Sequence, residues 1–128
     1  MSKIISTKKL PNPIGPYVPA IQIQNFIFLS GQISQGDNTK KNISTQTQEI
    51  LTNINIILES ININVSNIIK TTIFMINLKD INIVNDIYKN FFFKYSNNLP
   101  ARSCVEVSKL PQYAKIEIEA IAFKHPKS

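Results

Sequence analysis

Arg102 and Cys104 stand two residues apart in Ala101 to Val107, where polar and apolar residues alternate, and Glu117 and Glu119 stand two apart in Lys115 to Phe123. Residues two apart in a strand project to one side. Arg102 therefore shares a face with Cys104, Ser103 shares the other with Val105, and Glu117 shares one with Glu119. A guanidinium holds a carboxylate through two parallel hydrogen bonds, where an ammonium acts only as a point charge. A glutamate on a neighbouring strand either pairs with that arginine structurally or carries protons beside it. The chemistry open to this set is binding of a small anion, a carboxylate, at Arg102, with proton transfer through Glu117 or Glu119.

Composition singles out the arginine. The chain holds 24 Ile and 15 Asn, and 13 of its 14 basic residues are Lys, the drift of an AT-rich genome toward AAA, AAT and ATA codons. Arg102 is the only arginine, and a residue that such a genome disfavours marks a place where lysine does not substitute. Cys104 has no partner base for thiol catalysis, because the one histidine, His125, lies in the tail past the last strand. Cys104 reads as a small pocket wall. One Cys and one His also exclude an intramolecular disulfide and a Cys/His metal site. No glycine-rich nucleotide loop, zinc-protease motif or nucleophile elbow occurs, so the expected site has no cofactor and no metal.

The net charge of +6 is spread over the chain with no basic block longer than two residues, a pattern of solubility more than of a nucleic-acid surface. An RNA-binding role would require a contiguous lysine surface interleaved with aromatic platforms. Apolar runs such as Ile73 to Ile76 fall far short of the ~20 residues that span a bilayer. The start, MSKIISTKKLPNP, has no apolar stretch of signal-peptide length. The expected location is cytoplasmic, without membrane association, and the N-x-S triplets at Asn42 and Asn64 carry no weight.

The elements that must position these residues follow from periodicity. No repeat of 20 to 50 residues occurs and the prolines gather before residue 20, giving one domain, residues 1–128, behind an irregular entry segment. Ile21 to Ile23 and Phe26 to Ser30 form a hairpin about Gln24-Asn25, ended by Gly31. Ile43, Ile50, Leu51, Ile54, Ile57, Leu58 and Ile61 recur at helical spacing, with Thr45 and Gln48 as a capping box. Ile68 to Asn77 reads as a buried strand. Asp80 then caps a helix with Val84, Ile87, Tyr88, Phe91, Phe92 and Tyr95 along one face, an aromatic stripe of core type. Ala101 to Val107 and Lys115 to Phe123 follow as strands joined through Leu110-Pro111, with Ile116, Ile118, Ala120 and Ala122 inward. The order predicts an α+β fold, a mixed sheet with two helices packed on one face. The other face of the last strand, Glu117, Glu119, Ile121 and Phe123, is too apolar for water and too acidic for a closed core, which predicts a homo-oligomer enclosing a polar site.

ARSCVEV at Ala101 to Val107, LP at Leu110-Pro111 and KIEIEAIAF up to Phe123 resemble the C-terminal signature of the RidA (YjgF) family. IGPYVPA, FLSGQI, IIKTTIFMINLKD and VNDIYKNFF extend the resemblance over nearly the whole chain. It implies a homotrimer of chorismate-mutase-like subunits with active sites in the clefts between them. Those sites would hydrolyse 2-iminobutanoate and 2-iminopropanoate to 2-oxo acids and ammonia without a cofactor. The substrates would come from pyridoxal-phosphate-dependent threonine and serine dehydratases, and their removal would protect pyridoxal-phosphate enzymes. By the same resemblance Arg102 holds the substrate carboxylate, and Glu117 positions water or relays protons. Cys104 faces the substrate with backbone groups, and Tyr17, Ser30, Gly31 and Asn85 line the pocket, with Tyr17 from the neighbouring subunit. The segment QISQGDNTKKN after Gly31 departs from the pattern, being shorter and lacking its Pro-rich character. Translation inhibition through RNA cleavage, or a holdase-like role, stand as alternatives from other functional classes.

Overall fold

The computed structural model describes residues 1–126. Its elements are β1 (Ser2–Ile5), β2 (Ala20–Ile23), β3 (Phe26–Gln32), α1 (Ile43–Glu59), β4 (Ile68–Met75), α2 (Ile81–Phe93), β5 (Ala101–Glu106) and β6 (Ile116–Phe123). The six strands form one mixed sheet in the order β1-β2-β3-β6-β4-β5. Of the neighbouring strands only β4 and β5 pair in parallel, as the α2 crossover between them requires.

Both helices lie on one face. The α1 stripe Ile43, Ile50, Leu51, Ile54, Ile57 and Leu58 is buried, and Val84, Tyr88, Phe91 and Phe92 of α2 join it. The sheet answers with Ile27 and Leu29 of β3, Ile73 and Met75 of β4, and Ile116, Ile118, Ala120 and Ala122 of β6. The period-two alternation of β6 thus has the predicted sense.

Several boundaries differ from expectation. The entry segment contains β1, which buries only Ile5 and so shows no alternation; it forms by pairing with the edge of β2. Gly31 does not end its strand: β3 continues to Gln32 through a register shift between Leu29 and Gln32. Asn42, not Thr45, caps α1, accepting a hydrogen bond from Thr45 N at 2.8 Å. Asp80 stands at the start of α2 but makes no side-chain cap bond. Tyr95 lies beyond the end of α2 and is exposed.

Among the described residues, no layer covers the second sheet face. Ile23, Phe26, Phe28 and Val105 are 45%, 40%, 44% and 43% exposed on it, and Phe26 packs edge-on against Phe123 with ring centroids 5.1 Å apart.

Candidate functional site

The sequence-predicted residues separate into two groups on opposite faces of the sheet. Side chains opposite each other in register point to the same side. Arg102 is opposite Thr71, which is opposite Ala120, and Thr71 and Ala120 are buried beneath the helices. Arg102 therefore belongs to the helix-bearing side. Val105 is opposite Phe74, which is opposite Glu117, so Glu117 belongs to the uncovered side. The expected pairing of Arg102 with Glu117 or Glu119 does not form within one chain.

The first group gathers at the edge strand β5. Arg102 Nη1 donates to Asn85 Oδ1 at 2.8 Å, and its guanidinium lies over the ring of Tyr88, 5.2 Å from the centroid. Asn85 and Tyr88 are three residues apart on α2, which places them on one helix face. The Tyr88 hydroxyl pairs with Thr71 Oγ1 at 2.6 Å. Arg102 is exposed and, among the described residues, has no carboxylate within 4 Å; the ion pairs present are Lys40 with Asp37 and Lys41 with Glu49. Cys104 points the same way as Arg102, and its Sγ lies 3.9 Å from Met75 Sδ. Burial pushes the Cys104 thiol up, against a smaller downward pull from Arg102. A raised thiol is a poor nucleophile at neutral pH, in keeping with a pocket wall.

The second group gathers at the bulge in β3. Between the pairs Leu29 with Ala120 and Gln32 with Ile118, Ser30 and Gly31 oppose the single residue Glu119, a two-against-one bulge that re-aims the strand. Ser30 Oγ donates to the Val18 carbonyl at 2.6 Å, tying the segment that carries Tyr17 to this bulge. Tyr17 is itself folded back, its ring edge 3.1 Å from where a Cβ of Gly15 would stand, at a φ of +143° that glycine tolerates. The Glu117 carboxyl group lies directly against Gly31: a Cβ there would come within 2.7 Å of Oε2 and 2.8 Å of Cδ. Glu117 is half-buried, and burial first, then the charge of Glu119, hold its carboxyl above the ordinary 4.5. Tyr17 and Gly31 also line a cavity of about 90 Å³ walled by Leu10, Pro13, Ile14 and Ile33.

Sequence reasoning placed Tyr88 in the core stripe, which its burial supports, but missed that its ring carries the guanidinium. The three-residue spacing from Asn85 was the available signal. Among the described residues no three His, Cys, Asp or Glu side chains stand together where they could share a metal ion, and no helix is long and apolar enough to cross a membrane.

A family profile described as Endoribonuclease L-PSP matches residues 7–124. A RutC family protein of Buchnera aphidicola subsp. Baizongia pistaciae is 67% identical over 98% of this chain and 99% of its own length. The 2-iminobutanoate/2-iminopropanoate deaminase of Escherichia coli K12 is 42% identical over 97% of this chain and 99% of its own. Among solved structures, E. coli TdcF with bound serine superposes with a TM-score of 0.88 at 38% identity, covering 96% of this chain and 99% of that one.

Proposed function

The chain belongs to the endoribonuclease L-PSP (RidA, YjgF) family, and from that premise we propose that it hydrolyses small 2-imino acids to 2-oxo acids and ammonia, without a cofactor, in a homotrimer whose sites lie between subunits. The observation that carries this reading is Arg102: the only arginine, exposed, oriented by Asn85 and Tyr88, and facing no carboxylate among the described residues. A guanidinium so held is built for an external carboxylate. The E. coli deaminase by its name acts on 2-imino acids, and TdcF holds serine, each a small molecule with a carboxylate beside a nitrogen-bearing carbon.

Two half-sites on opposite faces of one sheet become one site only when a second copy supplies the missing half. The uncovered apolar sheet face supports such an assembly, since exposed patches of this kind mark association surfaces. In the proposed trimer Asn85, Arg102 and Cys104 of one subunit face Tyr17, Ser30, Gly31 and Glu117 of its neighbour.

Arg102 fixes the substrate carboxylate, which aligns the C=N carbon with a water held by Glu117. Water adds to that carbon as Glu117 takes one of its protons, and the nitrogen is protonated in turn. The C–N bond of the resulting carbinolamine then breaks, releasing ammonia and leaving the 2-oxo acid. A carboxyl group raised above its ordinary value gives and takes protons nearer neutrality than a free one. The reaction clears imines and enamines released by pyridoxal-phosphate-dependent threonine and serine dehydratases, sparing other pyridoxal-phosphate enzymes.

The test generates 2-iminobutanoate from threonine with a dehydratase and traps the surviving imine with semicarbazide. Faster imine loss with the wild type than with Arg102→Ala is expected. Equal rates from two well-folded proteins would overturn the assignment. RNA cleavage that falls steeply with salt would then point to the ribonuclease activity in the family's name.

A further inference from the structure

We propose that Tyr88 is the positioning residue for Arg102: its ring, locked from below by the hydroxyl pair with Thr71, is the platform that holds the guanidinium in the plane in which it receives a carboxylate. This rests on the deaminase reading above and adds to it a residue outside the expected pocket set.

Three elements converge on one side chain. Thr71 of β4 is the register partner of Arg102, Asn85 of α2 accepts one of its N–H groups at 2.8 Å, and the Tyr88 ring lies beneath it at 5.2 Å. One hydrogen bond would still leave the guanidinium free to swing about that contact. Stacking on a ring face removes the freedom while using none of the five N–H donors. Four donors then remain for a ligand, enough for a two-pronged grip. The platform is itself immobile: Tyr88 is 4% exposed, its hydroxyl is bonded to buried Thr71 at 2.6 Å, and Phe92 packs on it at 4.6 Å between centroids. Burial also pushes the Tyr88 phenol up, so the ring stays neutral over the working range.

A merely structural tyrosine and a platform differ in what they predict. Tyr88→Leu keeps an apolar side chain but loses the ring face, and its KM for 2-iminobutanoate should rise about three- to thirtyfold while kcat stays within about twofold. Calorimetric affinity for 2-oxobutanoate should fall by the same factor. Tyr88→Phe keeps the ring, still held by burial and by Phe92 against it, so KM and affinity should return to within about twofold of wild type even though its melting temperature falls from loss of the Thr71 pair. If Tyr88→Leu does not fold, Tyr88→Phe carrying one to five ring fluorines replaces it. KM should then climb stepwise as fluorination weakens the negative ring face.

The proposal is overturned if KM follows melting temperature across the variants regardless of the ring, or stays flat through the fluorine series. Wild-type turnover with an unchanged Tyr88→Leu KM sinks this inference alone. Absence of both turnover and 2-oxobutanoate binding in the folded wild type sinks the deaminase reading with it.

Discussion

Arg102 and Glu117 project from opposite faces of one sheet, Arg102 on the row of Thr71 and Ala120 and Glu117 on the row of Phe74 and Val105. No side-chain rotation brings the two together within a chain. A reaction that uses both needs two chains, which in the proposed trimer would meet on the apolar face around Glu117.

Arg102→Lys keeps the charge but not the fork. Loss of one charge-assisted bond and of the fixed plane should lower kcat/KM about ten- to a hundredfold, with melting temperature near wild type because Arg102 is exposed. Steady-state imine trapping beside a thermal melt checks both. Unaltered turnover would remove Arg102 from the site.

Gly31→Ala places a methyl group where the Glu117 carboxyl group now lies. The obstruction is the far end of a flexible side chain, so the fold accommodates it, and reduced unfolded-state entropy offsets the strain to within about 1 kcal/mol. The displaced carboxylate no longer holds its position, and a misplacement of about 1 Å costs on the order of a hundredfold in rate. Turnover and denaturant melts should therefore diverge sharply in this variant.

Glu117→Gln separates catalysis from stability through pH. The folded chain holds the Glu117 proton above the ordinary 4.5, binding it where the unfolded chain has released it. Wild-type stability is thus lost as pH rises from 4.5 through the raised value. Glutamine has no such proton. The variant should gain melting temperature over wild type at pH 7, match it near about pH 4, and lose about a hundredfold or more in kcat.

Cys104→Ala should keep most of the turnover, because burial holds the thiol protonated and its Sγ packs against Met75. The expected penalty is about 1 kcal/mol of stability for the lost packing, read by denaturant unfolding. Complete loss of activity with an intact oligomer would instead make the thiol a reacting group.

Much of this was legible in the chain. Period-two alternation placed Ile116, Ile118, Ala120 and Ala122 inward and joined Arg102 to Cys104 on one side, since strand geometry is local. Periodicity says which residues share a face but not which face, and here it could not place Arg102 on the helix-bearing side. That follows from β6 inserting between β3 and β4, a pairing between segments about ninety and forty-five residues apart, set by register and not by any local pattern. The same insertion brings Gly31 against Glu117. β1 carries no periodic signal because only Ile5 is buried, and Asn42 and Thr45 offer equally good cap patterns in the sequence. Tyr88 was legible as core but not as the support of a charge, since both uses demand the same aromatic at the same helical position.

Subunit mixing tests the split site most directly. Arg102→Ala and Glu117→Gln homo-oligomers are each expected to be nearly inactive. Unfolded together in equal amounts and refolded, a random trimer unites an intact Arg102 with a neighbour's intact Glu117 in about one site in four, so about a quarter of wild-type imine hydrolysis should return. Recovery no greater than the mean of the two parents, from oligomers shown to have exchanged subunits, would contradict a site shared between chains.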